Sequence, residues 1–134
     1  MTIAQATVFI VDDDASVRKS LTRLIRAAGW NVESFSSGLD FLARLPYTGP
    51  GCVILDMAMP DIAGTELHDQ MTARDLSLPV IFLTGDDKAI SSPQPASAPP
   101  SGSVDFLTKP VEAGSLISAV WRALERREIG IQDS

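Results

Sequence analysis

A chain of 134 residues, 45% hydrophobic and 21% charged, has the size and composition of one soluble globular domain able to bury a core. Its formal net charge of −6 argues against a sequence-independent grip on nucleic acid, which needs positive charge to displace counterions. No apolar stretch nears the roughly 20 residues that span a bilayer, and the first residues lack the basic end and apolar core of a signal peptide. Cys52 is the single cysteine, so an intrachain disulfide is excluded and the expected compartment is the cytoplasm. Its simplest role is that of a small buried hydrophobe.

The apolar pattern predicts strand and helix in alternation. A first strand, about Thr7 to Val11, leads to a helix from about Ala15 to Ala28 with Val17, Leu21, Leu24, Ile25 and Ala28 on one face. Gly29 is placed to close that helix in a left-handed cap. A second strand, Asn31 to Phe35, precedes a helix carrying Leu39, Phe41, Leu42 and Leu45, stopped by Pro46. The run Cys52-Val53-Ile54-Leu55 is a third strand; after it, Met57 to Gly64 reads as a loop before a helix bearing Leu67 and Met71. A fourth strand, Val80 to Leu83, and a fifth, Val104 to Thr108, both read as buried on two faces. The last helix is predicted from about Glu112 to Arg127, with Leu116, Ile117, Val120, Trp121 and Leu124 on one side. Such alternation implies right-handed crossovers and a doubly wound parallel sheet, one α/β domain over residues 1–134 with its core at about 7–127.

One segment breaks the alternation. Four of the nine prolines fall between positions 93 and 100, where a helix belongs. Each interior proline costs a helix roughly 3 kcal/mol. Residues 85–103 are therefore expected to form an atypical proline-rich loop holding at most one helical turn.

The chemistry-bearing residues sit where apolar runs end. Asp12 and Asp13 follow the first strand, Asp56 the third, Thr84 the fourth and Lys109-Pro110 the fifth. Open α/β sheets bind ligands at the carboxyl ends of their strands, so three acids, a hydroxyl and an ammonium are expected to meet there. Together they suit a divalent cation and a phosphoryl group. Each residue has a plainer alternative: Asp14 and Ser16 as caps of the first helix, Asp56 as a turn residue, Lys109 as a solvated charge, Phe106 as core, His68 as a surface residue. Arg18, Lys19, Arg23 and Arg26 on the first helix read equally as a solvated face or a docking surface.

The ordered set Val11-Asp12-Asp13-Asp14, Ile54-Leu55-Asp56-Met57, Met59-Pro60-Asp61 with Gly64, Leu83-Thr84-Gly85 and Asp105-Phe106-Leu107-Thr108-Lys109-Pro110 resembles the receiver domain of bacterial two-component response regulators. The resemblance covers about Thr7 to Arg127, apart from the proline-rich segment. It implies a flavodoxin-like five-stranded parallel sheet in the order 2-1-3-4-5, with the family's fourth helix largely missing here. It also implies Asp56 as phosphoacceptor and Mg²⁺ held by Asp13, Asp56 and the backbone carbonyl of Ala58, with Asp12 acting directly or through water. Lys109 and Thr84 would contact the phosphoryl oxygens. Pro110 would follow a cis peptide, and Thr84 and Phe106 would form the switch, with phenylalanine keeping the ring of the family's tyrosine but not its hydroxyl. The donor would be a sensor histidine kinase or a phosphotransfer protein, and such kinases dock near the first helix.

The altered crossover leaves the fourth and fifth strands in need of cover. A homodimer through these strands and the last helix is the expected solution. The chain as given ends at Ser134, so output is expected to pass through a partner, with no direct contact to nucleic acid, unless the chain is a piece of a longer regulator. The expected protein is thus a phosphoacceptor and not a turnover enzyme. A phosphorylation-independent binding or dimerisation module is the alternative. A haloacid-dehalogenase-type phosphatase fits less well, because Ala58 stands where that class places its general acid. An FMN site is disfavoured by the acidic first loop.

Overall fold

The computed structural model describes residues 6–47, 49–57, 59, 62, 64–74, 78–85 and 103–133. Five strands alternate with helices: β1 (Thr7–Val11), α1 (Ala15–Ala27), β2 (Asn31–Phe35), α2 (Gly38–Arg44), β3 (Gly51–Asp56), α3 (Gly64–Ala73), β4 (Val80–Thr84), β5 (Ser103–Thr108) and α4 (Ala113–Asp133). The strands form one parallel sheet in the order β2-β1-β3-β4-β5, the flavodoxin-like topology that the resemblance implies. The proline-rich segment lies outside the described residues between Gly85 and Ser103, and with it the expected loss of a helix.

Helices on both faces explain why β1 and β3 are apolar at nearly every position and buried at all of them. Successive side chains sort to opposite sides. Val8, Ile10, Cys52, Ile54, Ile81 and Leu83 pack with Leu21 and Ile25 of α1 and Leu116, Val120 and Leu124 of α4. Phe9, Val11, Val53, Leu55, Val80 and Phe82 pack with Phe41 and Leu42 of α2 and Leu67 and Met71 of α3. Each fully buried aliphatic side chain contributes about 1.5–3 kcal/mol, and these two layers fix the register that aligns the strand ends. Cys52 lies fully inside the first layer, where burial pushes its thiol pKa up to about 12, in keeping with a packing role.

Three local expectations need correction or refinement. β5 is not buried on both faces: Phe106 is 40% exposed, on a strand that lies at the sheet edge as the expected order has it. The last helix continues to Asp133, past the expected stop near Arg127. The first helix ends at Ala27 with Ala28 as its cap, and Gly29 takes φ +100°, a left-handed conformation that disfavours any side chain.

Candidate functional site

The site is built where the central strands run out. Asp12 follows β1, and its N–H donates to the Phe35 carbonyl at 3.1 Å, extending the ladder to β2 by one residue. Asp56 ends β3 opposite Leu83, and the next amide, Met57 N–H, donates to the Leu83 carbonyl at 2.9 Å. Lys109 follows β5, and its N–H donates to the Thr84 carbonyl at 2.9 Å. Three strand ends are thereby held by backbone hydrogen bonds on, or one residue beyond, the residues that carry the charges.

The side chains converge. Carboxylate oxygens of Asp12, Asp13 and Asp56 lie within 4.8 Å of one another, with Asp12 and Asp56 buried and Asp13 exposed. Lys109 Nζ sits 2.9 Å from Asp12 Oδ2 and 3.5 Å from Asp56 Oδ2. Asp12 Oδ1 accepts a hydrogen bond from Asp14 N–H at 2.9 Å. Its Oδ2 is different: the contact with Lys109 is an ion pair and not an aligned hydrogen bond, and Oδ2 has no hydrogen-bond donor among the described residues. Three carboxylates thus cluster around one site with one ammonium paired to two of them, and the buried Asp12 Oδ2 meets that ammonium without a hydrogen bond. Like charges gathered out of water are costly alone, and an oxygen-rich, net negative cluster suits a hard divalent cation. The residues present fit Mg²⁺.

Electrostatics around Lys109 oppose one another. Burial pulls its pKa down, but the close contact and charge of Asp12 and the charge of Asp56 outweigh burial, so the ammonium titrates above its ordinary value and is charged at neutral pH.

Of the remaining expected residues, Thr84, Phe106 and Pro110 lie among the described ones. Thr84 is half-buried at the end of β4, and its hydroxyl donates a long, 3.5 Å hydrogen bond to the Leu107 carbonyl. The Phe106 ring lies 5.2 Å from the buried Phe82 ring. The Lys109–Pro110 peptide is cis, as is Leu45–Pro46, for which the sequence reading gave no expectation. Ala58, whose carbonyl the resemblance places on the metal, lies outside the described residues, as does the side chain of His68. Asp14 is the N-cap of α1, accepting from Ser16 N–H at 2.9 Å, Val17 N–H at 3.3 Å and the Ser16 hydroxyl at 2.8 Å. Ser16 supports that cap as a donor and does not form it.

Sequence reasoning missed the connection made by Arg18. Its Nη1 donates to the Asp12 carbonyl at 2.8 Å. The signal was the direction of helical side chains, which lean toward the N-terminus, so a long residue in the second turn of α1 reaches back over the loop after β1. Arg18 also lines an open groove of about 510 Å³ along α1, with Lys19, Arg23 and Arg26.

Comparison with known proteins agrees with this geometry. The family described as response regulator receiver domain matches residues 8–121. The transcriptional regulatory protein TdiR of Thauera aromatica is 40% identical over 119 residues, covering 89% of this chain and 51% of that protein. The solved structure of the response regulator StyR is 37% identical with a TM-score of 0.83, covering 96% of this chain and 66% of that one. The crystal structure named FixJ-N is 36% identical with a TM-score of 0.80, covering 93% and 96%. The chain spans about half the length of the curated relatives it matches. With the family match running through most of the sequence, the chain belongs to the receiver domains of two-component response regulators.

Proposed function

We propose that this protein is a phosphoacceptor signalling domain in which Asp56 receives a phosphoryl group from a sensor histidine kinase or a phosphotransfer protein. The observation that carries the reading is the placement of Asp56: a buried carboxylate at the end of a central strand, clustered with Asp12 and Asp13 and facing the Lys109 ammonium.

The transfer is an in-line displacement. An Asp56 carboxylate oxygen attacks the phosphorus of a phosphohistidine, the P–N bond breaks, and the imidazole leaves with the bonding electron pair. The product is an acyl phosphate on Asp56. A carboxylate is a weak nucleophile toward an anionic phosphoryl group, so charge must be cancelled and the donor aligned. Lys109 supplies a fixed positive charge beside Asp56. Asp12, Asp13 and Asp56 would hold Mg²⁺, which when bound neutralises charge on the phosphoryl oxygens. Asp12 is locked by Asp14 N–H and Lys109, so its part is to keep the site in register. The basic groove along α1 is where the acidic side of a donor protein would dock.

Output uses Thr84 and Phe106. The hydroxyl now rests on the Leu107 carbonyl and the ring is partly exposed, which suits the resting end of a switch. Phosphorylation would draw the Thr84 hydroxyl to a phosphoryl oxygen and let the ring turn inward. The exposed face at β5 then becomes a homodimer interface together with β4 and α4, and light scattering with and without a phosphoryl mimic reads the oligomeric state. Output to transcription, which the name of TdiR states for that protein, would run through such an interface.

Intact mass after incubation with acetyl phosphate and Mg²⁺ tests the chemistry. One added phosphoryl group is expected, absent from Asp56→Asn and absent without metal. No adduct, together with no binding of beryllofluoride, overturns the reading in favour of a phosphorylation-independent binding module.

A further inference from the structure

We infer that Arg18 is a positioning residue for the acidic site, holding the loop that presents Asp12 and Asp13; the inference rests on the proposed Mg²⁺-dependent phosphoacceptor role. Besides the Lys109 ion pair, three hydrogen bonds converge on Asp12: its N–H donates to the Phe35 carbonyl, its Oδ1 accepts from Asp14 N–H, and its carbonyl accepts from the Arg18 guanidinium at 2.8 Å. The third is the one that reaches Asp13. A peptide group is planar, so pinning the Asp12 carbonyl fixes the plane shared with the Asp13 N–H and directs the Asp13 Cα. Asp13 is the exposed member of the acidic cluster, so its position depends on the backbone that carries it more than on packing.

Charge and hydrogen bonding pull in opposite directions here, which makes the inference testable by sign. A guanidinium bonded to the Asp12 carbonyl adds positive charge to the loop that carries two of the three acids and so repels a divalent cation, and removing it for charge alone would tighten Mg²⁺ binding. Removing a group that orients ligands loosens it, by about tenfold for outer-shell partners of metal sites. Arg18 reaches the carbonyl from the second turn of α1, anchored by its own N–H on the Asp14 carbonyl at 3.0 Å. The link therefore joins the capped helix start to the metal-facing loop.

The test is calorimetric titration of Mg²⁺ into the wild type, Arg18→Met and Arg18→Lys. Methionine keeps the apolar stem and loses charge and donors; lysine keeps a charge and a donor on a stem of similar reach. The expected result is about tenfold weaker Mg²⁺ binding in R18M, recovered in large part by R18K. Acetyl phosphate labelling should then need more Mg²⁺ in R18M but reach the wild-type rate at saturation. Unchanged or tighter binding in R18M overturns the inference, as does a rate deficit that saturating Mg²⁺ leaves in place. If R18M does not fold, Arg18→Gln, too short to reach the carbonyl, is expected to show the same weakening, and its failure to do so overturns the inference equally. A wild type that binds no Mg²⁺ removes the proposed function itself, an outcome distinct from a wild type that binds and an R18M that binds as well.

Discussion

The central strands β1 and β3 and the edge strand β5 deliver their residues to the same site, yet they are held very differently. β1 and β3 are hydrogen-bonded to a parallel neighbour on each side and buried at every position. Asp12 and Asp56 inherit that rigidity, since a packed interior leaves side chains little slack. Among the described residues β5 pairs with β4 alone, the ladder between them is irregular at Val80/Ile81, and Phe106 is 40% exposed while the ring it tilts against, Phe82, is fully buried. Groups that must meet a small cation at fixed separation sit on the strands with two neighbours. Of the two residues proposed to move, the Phe106 ring sits on the strand with one, while Thr84 needs only turn its hydroxyl at the end of β4.

Stability measurements put that contrast at risk. Ile54→Ala, which empties a fully buried site in β3, is expected to cost about 2–5 kcal/mol by urea unfolding. Phe106→Ala removes a larger side chain, yet with the ring partly in water the expected loss is below about 1.5 kcal/mol. Equal losses would mean that β5 is as tightly packed as β3 and that a moving Phe106 is the wrong picture. Lys109→Gln comes next, at about 2 kcal/mol without metal, because it leaves Asp12 and Asp56 facing each other with the ammonium gone. Saturating Mg²⁺ should recover most of that loss while the wild type gains less. If Mg²⁺ stabilises both proteins equally, cation and ammonium do not share the same carboxylates.

Much of this arrangement was legible in the residues because burial on both faces leaves a plain record. The apolar runs before Asp12, Asp56 and Thr84 could only be interior strands, and their ends placed the acids together. The strand order came from the ordered motifs and not from periodicity, which carries no information on neighbours. The exposure of Phe106 was misread for a different reason: Val104, Phe106 and Leu107 were read as buried on both faces, and whether a face is covered depends on the elements packed over it, which the strand's own residues do not record. The extension of α4 past Gly130 was missed because a glycine, at about 1 kcal/mol against helix, weakens one without forbidding it. Arg18 was weighed as part of a solvated face or a docking surface and not as a loop contact, since a side-chain to backbone contact across six residues leaves no trace in composition.

The smallest effect separates the two helix starts that flank this sheet, and it does so through pH. α1 begins at Asp14 and α2 at Ser37, whose hydroxyl accepts from Asp40 N–H at 3.0 Å. Ser37→Ala is expected to cost about 1 kcal/mol, the usual worth of a cap, and a hydroxyl does not titrate, so that loss should be constant from neutral to acid pH. Asp14 is different. Hydrogen bonds from the Ser16 hydroxyl, Val17 N–H and Ser16 N–H hold its carboxyl below its ordinary value of 3.8. A group whose pKa is depressed by folding stabilises the native state fully above its unfolded value and loses that contribution as pH falls through its folded value. The deficit of Asp14→Ala relative to wild type should therefore be flat near neutrality and shrink below about pH 4, while that of Ser37→Ala does not change. A deficit in Asp14→Ala that stays constant to low pH would instead make the cap a matter of backbone shape, with the carboxylate charge playing no part.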